Sequence, residues 1–181
     1  TGCSYTLSVP LDGPTYDGPA TPSPKKVYLL APVAARSYTF KTETYSALGG
    51  SLFPDTLTFE LGRSAFEGMT QLARKEFSAV AEAEDIEHAK HDKAFSPDLI
   101  IAPEIVSANL ELPTFRFSVI HADLTMLLSL YDSSGALISS SRITGRGSKV
   151  LLFTKQNYVN AFQEAIADLM RQSKDVLDGQ K

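Results

Sequence analysis

Between Phe115 and Tyr131, Ile120, Ala122, Leu124, Met126, Leu128 and Leu130 fall on alternate positions, and His121, Asp123, Thr125 and Ser129 fill positions between them. A period of two sustained over this length predicts a long β-strand with one buried face and one wetter face. Asp132-Ser133-Ser134-Gly135 supplies turn residues, with Gly135 free to take a positive backbone angle. Ala136 to about Gly147 then reads as the returning strand of an antiparallel hairpin. The apolar face needs a cover, and the end of the chain provides one. Gln156 to Val176 is amphipathic at helical spacing, with a stripe of Tyr158, Phe162, Ile166, Leu169 and Met170 that Leu177 extends.

Other segments follow the same logic. Val27-Tyr28-Leu29-Leu30-Ala31-Pro32-Val33 and Leu99-Ile100-Ile101-Ala102-Pro103 are short apolar runs typical of buried strands, the second continuing loosely through Ile105, Val106, Leu110 and Leu112. Thr56 to Leu61 alternates as a half-buried strand does. Gly62 to Phe77 predicts a helix with Phe66, Met69, Leu72, Ala73 and Phe77 on one face. Ser78 to Glu82 reads as a strand, Arg36 to Pro54 as a long loop with strand fragments, and the charged Glu84 to Lys93 as an exposed helical turn or loop. The expected fold class is α+β: a two-layer sandwich, its mixed sheet carrying a long antiparallel hairpin and helices packed on one face. The folded domain is expected over residues 26–181.

Residues 1–25 differ in character. From Ser4 to Lys25 the chain holds Pro10, Pro14, Pro19, Pro22 and Pro24, with two Asp-Gly-Pro turns at Asp12 and Asp17. Proline removes amide donors and favours polyproline II, so a tether is expected, with a reach on the order of 70 Å. Tyr5, Leu7, Val9 and Leu11 alternate with polar residues, a pattern that also suits an edge strand added to a partner.

The chain has one cysteine among 181 residues, which excludes an internal disulfide framework and a cysteine-rich zinc cage. That residue stands in Thr1-Gly2-Cys3-Ser4, which looks like the end of a bacterial lipoprotein processing signal, and Cys3 is the expected lipid attachment site. In that class a signal peptide is removed just before the cysteine, whose thiol takes diacylglycerol and whose amine is acylated. Several acyl chains give a stable anchor where one is marginal, at about 0.8 kcal/mol per buried methylene. Ser4 in the next position favours the outer membrane. A net charge of −4 and a pI near 5.4 make nucleic acid a poor partner, and no apolar run reaches the roughly 20 residues that span a bilayer.

Catalytic and cofactor chemistry has few candidates. His88 and His91 lie three apart with Glu87 and Asp92 nearby, a spacing that one helical face could present to a metal, but Lys90 and Lys93 share the tract and a solvated charged surface is the expected role. His121 and Asp123 share a strand face without a Gly-x-Ser-x-Gly elbow or an oxyanion hole. Gly145-Arg146-Gly147-Ser148-Lys149 lacks the full phosphate-loop pattern and reads as a basic turn. Arg142, Arg146 and Lys149 form a candidate positive patch, and Phe115 and Phe117, beside Arg116, a candidate recognition surface. No cofactor motif is present.

The Thr-Gly-Cys start, the proline-rich stretch, the Val27–Leu30 run, Asp98-Leu99-Ile100-Ile101-Ala102-Pro103, Ala122-Asp123-Leu124, Tyr131-Asp132-Ser133-Ser134-Gly135 and Ala161-Phe162-Gln163-Glu164-Ala165-Ile166 together resemble Gram-negative envelope lipoproteins of the YajG-like kind and the amino-terminal domain of TolB. The resemblance implies a non-enzymatic periplasmic domain serving envelope complexes. The expected function is a lipid-anchored, periplasm-facing scaffold or accessory subunit of an outer-membrane assembly, bound to membrane lipid through acylated Cys3 and acting by protein contacts. Two alternatives have their own signatures. A glycan, lipid or peptide binding module needs a deep apolar cavity between sheet and final helix, and a metal-dependent hydrolase needs His88, His91 and His121 to converge.

Overall fold

The computed structural model describes residues 3–11, 21–44, 55–111, 119–150 and 155–180. In chain order the elements are β1 (Ser4–Ser8), β2 (Ser23–Leu30), α1 (Val33–Arg36), β3 (Thr39–Thr44), β4 (Asp55–Glu60), α2 (Leu61–Glu76), β5 (Phe77–Ala83), α3 (Ile86–His91), β6 (Leu99–Glu111), β7 (Val119–Asp132), β8 (Leu137–Val150) and α4 (Lys155–Asp178). They build a five-stranded mixed sheet in the order β5-β2-β6-β7-β8 and a three-stranded sheet in the order β1-β4-β3. The α+β sandwich expected from the sequence is thus present.

The hairpin of β7 and β8 is the backbone of the larger sheet. Ile120, Ala122, Leu124, Met126, Leu128 and Leu130 are all buried, as their alternation requires. At its tip the Asp132 carboxylate accepts from Ser134 N at 2.8 Å and Ala136 N at 2.9 Å, while Gly135 takes a φ of +83°. Helices α2 and α4 cover the apolar face in one continuous core with Val27, Leu29, Leu99 and Ile101. The small α3 lies on the opposite face, over a second cluster of Tyr28, Leu30, Ala83, Ala89 and Ile100. The helices therefore do not all share one face. The adjacent residues Tyr28 and Leu29 point to opposite sides of a strand buried on both.

The three-stranded sheet was not foreseen, and it corrects the reading of residues 4–25 as a free tether. β1 pairs in parallel with β4 from Ser4↔Thr56 to Ser8↔Glu60, and Val9 is buried. Ser64 Oγ donates to Val9 O, and Gln163 Nε2 donates to Pro10 O at 2.8 Å. The alternation of Tyr5, Leu7 and Val9 marks an edge strand, as expected, but its partner is the same chain. β2 begins at Ser23, three residues ahead of the expected boundary, and Pro24 falls where its register on β5 shifts between Ser23 and Lys26, a place that needs no ladder donor. The two Asp-Gly-Pro turns lie outside the described residues.

Gly145 and Gly147 form no turn. They sit within β8 directly under α4, where a Cβ on Gly145 would stand 2.0 Å from Ala165 O and one on Gly147 would stand 2.0 Å from Ala161 O. The glycines let helix and strand main chains touch. The same contact shields an exposed sheet edge. Asp168 accepts from Arg146 N at 3.0 Å, Glu164 accepts from Ser148 N at 3.1 Å, and Gln172 Nε2 donates to Thr144 O at 2.9 Å. A register irregularity at Leu130/Tyr131 interrupts the remaining edge near Ile138.

Candidate functional site

Cys3 is exposed and free. It is fixed to the fold by its main chain alone: its N–H donates to Asp55 Oδ1 at 3.0 Å, and its carbonyl accepts from Thr56 N at 2.9 Å. The next residue is already the first of β1, and Tyr5 and Leu7 pack against the main core. The thiol thus projects from a residue with no slack between it and the sheet. The proline-rich stretch follows β1, so it does not separate Cys3 from the folded body.

The imidazoles do not converge. His88 and His91 are exposed on α3, where His88 lies edge-on to Tyr28 at 6.4 Å between ring centroids. Tyr28 pairs with Ile100, and Ile100 with Tyr131 near one end of β7. His121 stands near the other end, between Glu111 and Ser148, roughly 30 Å away at the rise of an extended strand. The hydrolase built on these three residues is therefore set aside on geometry. Among the described residues no three His, Cys, Asp or Glu side chains are grouped to hold a metal. His121 and Asp123 do share a face, but Asp123 faces Arg146 at 3.9 Å, and among the described residues no serine is hydrogen-bonded to His121. The positive patch is divided as well. Arg142 and Arg146 lie on the open sheet face, whereas Lys149 turns to α4 and pairs with Glu164. Phe115, Arg116 and Phe117 lie outside the described residues.

Asp92, a candidate metal ligand in the sequence, is committed to structure. One carboxylate oxygen accepts from Ala94 N at 2.9 Å and Phe95 N at 3.1 Å, and the other accepts the Tyr28 hydroxyl. The Tyr28 bond, followed by the Phe95 N–H, holds the Asp92 carboxyl below the usual carboxylate range. Burial and then the Asp92 contact push Tyr28 up to about 12. A carboxyl lowered on folding stabilises above its unfolded value of about 4 and loses that contribution as pH falls through its lowered folded value. Asp92→Asn is thus expected to lower the urea midpoint between pH 5 and 8, with the gap to the wild type closing below about pH 4. Denaturation at pH 7 and pH 3 measures it, and an equal gap at both would refute the latch.

Two clefts flank α1. One, of about 500 Å³, balances Arg36 and Arg63 against Glu60 and Glu67. The other, of about 320 Å³, runs between α1 and β6 where β6 continues beyond its pairing with β2. Among the described residues, side chains close the space between the sheet and α4. Ala161, Phe162, Ala165, Ile166 and Leu169 fill that space with no exposure, so the described residues do not form the cavity that a binding module would need there. Nothing in the sequence signals the α1 clefts, the smaller of which arises where β6 outruns β2. Among the described residues, no helix is long and apolar enough to cross a membrane.

No family model matches the chain, and no curated protein matches it. Solved structures do share its fold. A Xanthomonas campestris protein of the DUF330 family is 12% identical with a TM-score of 0.55, the match covering 98% of this chain and 99% of that one. A Helicobacter pylori protein described as a neuraminyllactose-binding hemagglutinin homolog is 16% identical with a TM-score of 0.52, covering 94% and 92%. A minor lipoprotein from Acinetobacter baumannii is 12% identical with a TM-score of 0.47, covering 88% and 95%. At these identities the chain is similar to the first two in fold alone.

Proposed function

We propose that this chain is a lipid-anchored, periplasm-facing accessory subunit of the cell envelope, held at the outer membrane by acyl chains on Cys3 and acting through protein contacts. The observation that carries the reading is the setting of Cys3: an exposed thiol, in a Thr-Gly-Cys-Ser context, on a residue held to the small sheet through its own main-chain N–H and C=O alone. Acylation of such a thiol disturbs no packed side chain. Acylation of the nitrogen keeps the N–H that Asp55 accepts. The lipid would leave from the surface of the domain, so the body lies close to the bilayer instead of at the end of a long leash, and anchoring raises its effective concentration near membrane partners.

Expressed from its full precursor, the Cys3→Ala chain is expected to move from the membrane fraction to the soluble fraction. Its unfolding midpoint should stay within about 0.5 kcal/mol of the wild type, because no packing is lost. Mass analysis of the amino-terminal peptide from wild-type membranes should show the acyl groups. Unchanged membrane association in the variant would sink the reading.

A further inference from the structure

The cleft of about 320 Å³ beside α1 has a one-sided chemistry. Leu30, Pro32, Ala34, Ala35, Ala102, Pro103 and Ile105 make it apolar, and Tyr38 and Tyr131 add two phenol rings. Among the described residues, its charged lining residues are Glu84 and Glu104, both exposed. Neither carboxylate has a hydrogen-bond or ion-pair partner among the described residues. The neighbouring cleft on the other side of α1 provides the contrast, since its two arginines and two glutamates cancel and select for no charge.

Two uncompensated carboxylates around an apolar floor favour an occupant that is itself apolar and positively charged. Aromatic rings in the same walls favour a guanidinium or ammonium over a neutral group, because the ring face attracts cations. Size narrows the choice further. About 320 Å³ lies at the small end of ligand sites, enough for one or two side chains and too little for an acyl chain or an oligosaccharide.

We infer that this cleft receives an arginine or lysine, flanked by an apolar side chain, from a segment of a partner protein. The inference rests on the reading of the chain as a subunit that works through protein contacts, and it names the chemistry of the contact. It has a test that does not depend on lipid. The full chain carrying Cys3→Ser, labelled for NMR, is titrated with three blocked dipeptides of matched size: phenylalanyl-arginine, phenylalanyl-citrulline and phenylalanyl-glutamate amides. The arginine probe is expected to shift the amide signals of Ala34, Ala35, Ala102 and Ile105, and the glutamate probe to leave them in place. Glu84→Gln and Glu104→Gln replace exposed groups and should keep the fold. Each is expected to weaken the arginine probe about two- to fivefold, with less effect at high salt, while leaving the citrulline probe unaffected. Free argininamide, tested alone, separates a requirement for the apolar neighbour from simple cation capture and should bind more weakly. Shifts scattered away from the cleft, equal binding of the glutamate probe, equal binding of free argininamide, or indifference to both glutamine variants would each overturn the inference. Those results would leave the membrane experiment on Cys3 standing, just as loss of the lipid anchor would leave this cleft intact.

Discussion

Replacing Gly145 with alanine is expected to cost about 3 kcal/mol or more of stability, read as a fall in the urea midpoint. The reason is what the new methyl group would meet. Its Cβ would lie 2.0 Å from Ala165 O and 2.6 Å from Leu169 N, both main-chain atoms of α4, so no rotamer change relieves the clash. The helix must lift from β8 instead. Lifting stretches the bonds from Arg146 N to Asp168 and from Gln172 to Thr144 O, and it uncovers the row from Ile120 to Leu130. Gly147→Ala should behave alike, with Ala161 O at 2.0 Å and Ala165 N at 2.6 Å. Two controls grade the effect. Gly68→Ala meets only the flexible Met170 thioether at 3.0 Å and should cost less, and Gly179→Ala meets Val176 O at an ordinary 3.6 Å and should be close to neutral. A Gly145→Ala chain as stable as the Gly179→Ala chain would show that α4 does not rest on the strand main chain.

Phe162→Ala is expected to cost roughly 3 to 5 kcal/mol, the range for removing a buried aromatic ring. Phe162 has no exposure, and its ring lies 4.9 Å from Phe59 and 5.7 Å from Phe40. Those neighbours belong to β4 and β3, so this one side chain of α4 joins the small sheet to the main core. The loss should therefore be uneven. Hydrogen exchange is expected to speed up in β1, β3 and β4 well before it does in β6 and β7, because the cavity opens beneath the smaller sheet. Uniform loss of protection across both sheets would contradict a separate role for this ring.

The parts of the fold that sequence reading recovered are those in which one element announces its own period. β7, α2 and α4 each repeat apolar residues often enough to declare a strand or a helix, β8 follows from the turn that precedes it, and the ends of all four fall within a few residues of expectation. The small sheet is different in kind. β1 and β4 are five and six residues long and pair across a wide gap in the chain, so neither carries enough pattern to name the other. Proline-rich surroundings then pointed towards a tether. Gly145 and Gly147 misled for a related reason: glycine among basic residues looks like a turn until the contact with α4 shows why a side chain is excluded. For the candidate site, the sequence singles out Cys3 by its local context, and its lipidation is a proposal, whereas the separation of His121 from His88 is settled only by strand register.

The direct passage from Cys3 into β1 has a mechanical consequence. β1 runs parallel to β4, and Cys3 stands at the end where both strands begin. A pull on Cys3 along the strand loads every rung of the ladder at once, in shear, whereas a sideways pull opens the rungs one after another like a zip. A protein held by that residue would resist drag along the first direction far better than peeling in the second, and the orientation of the sheet relative to its point of attachment would decide which force it feels.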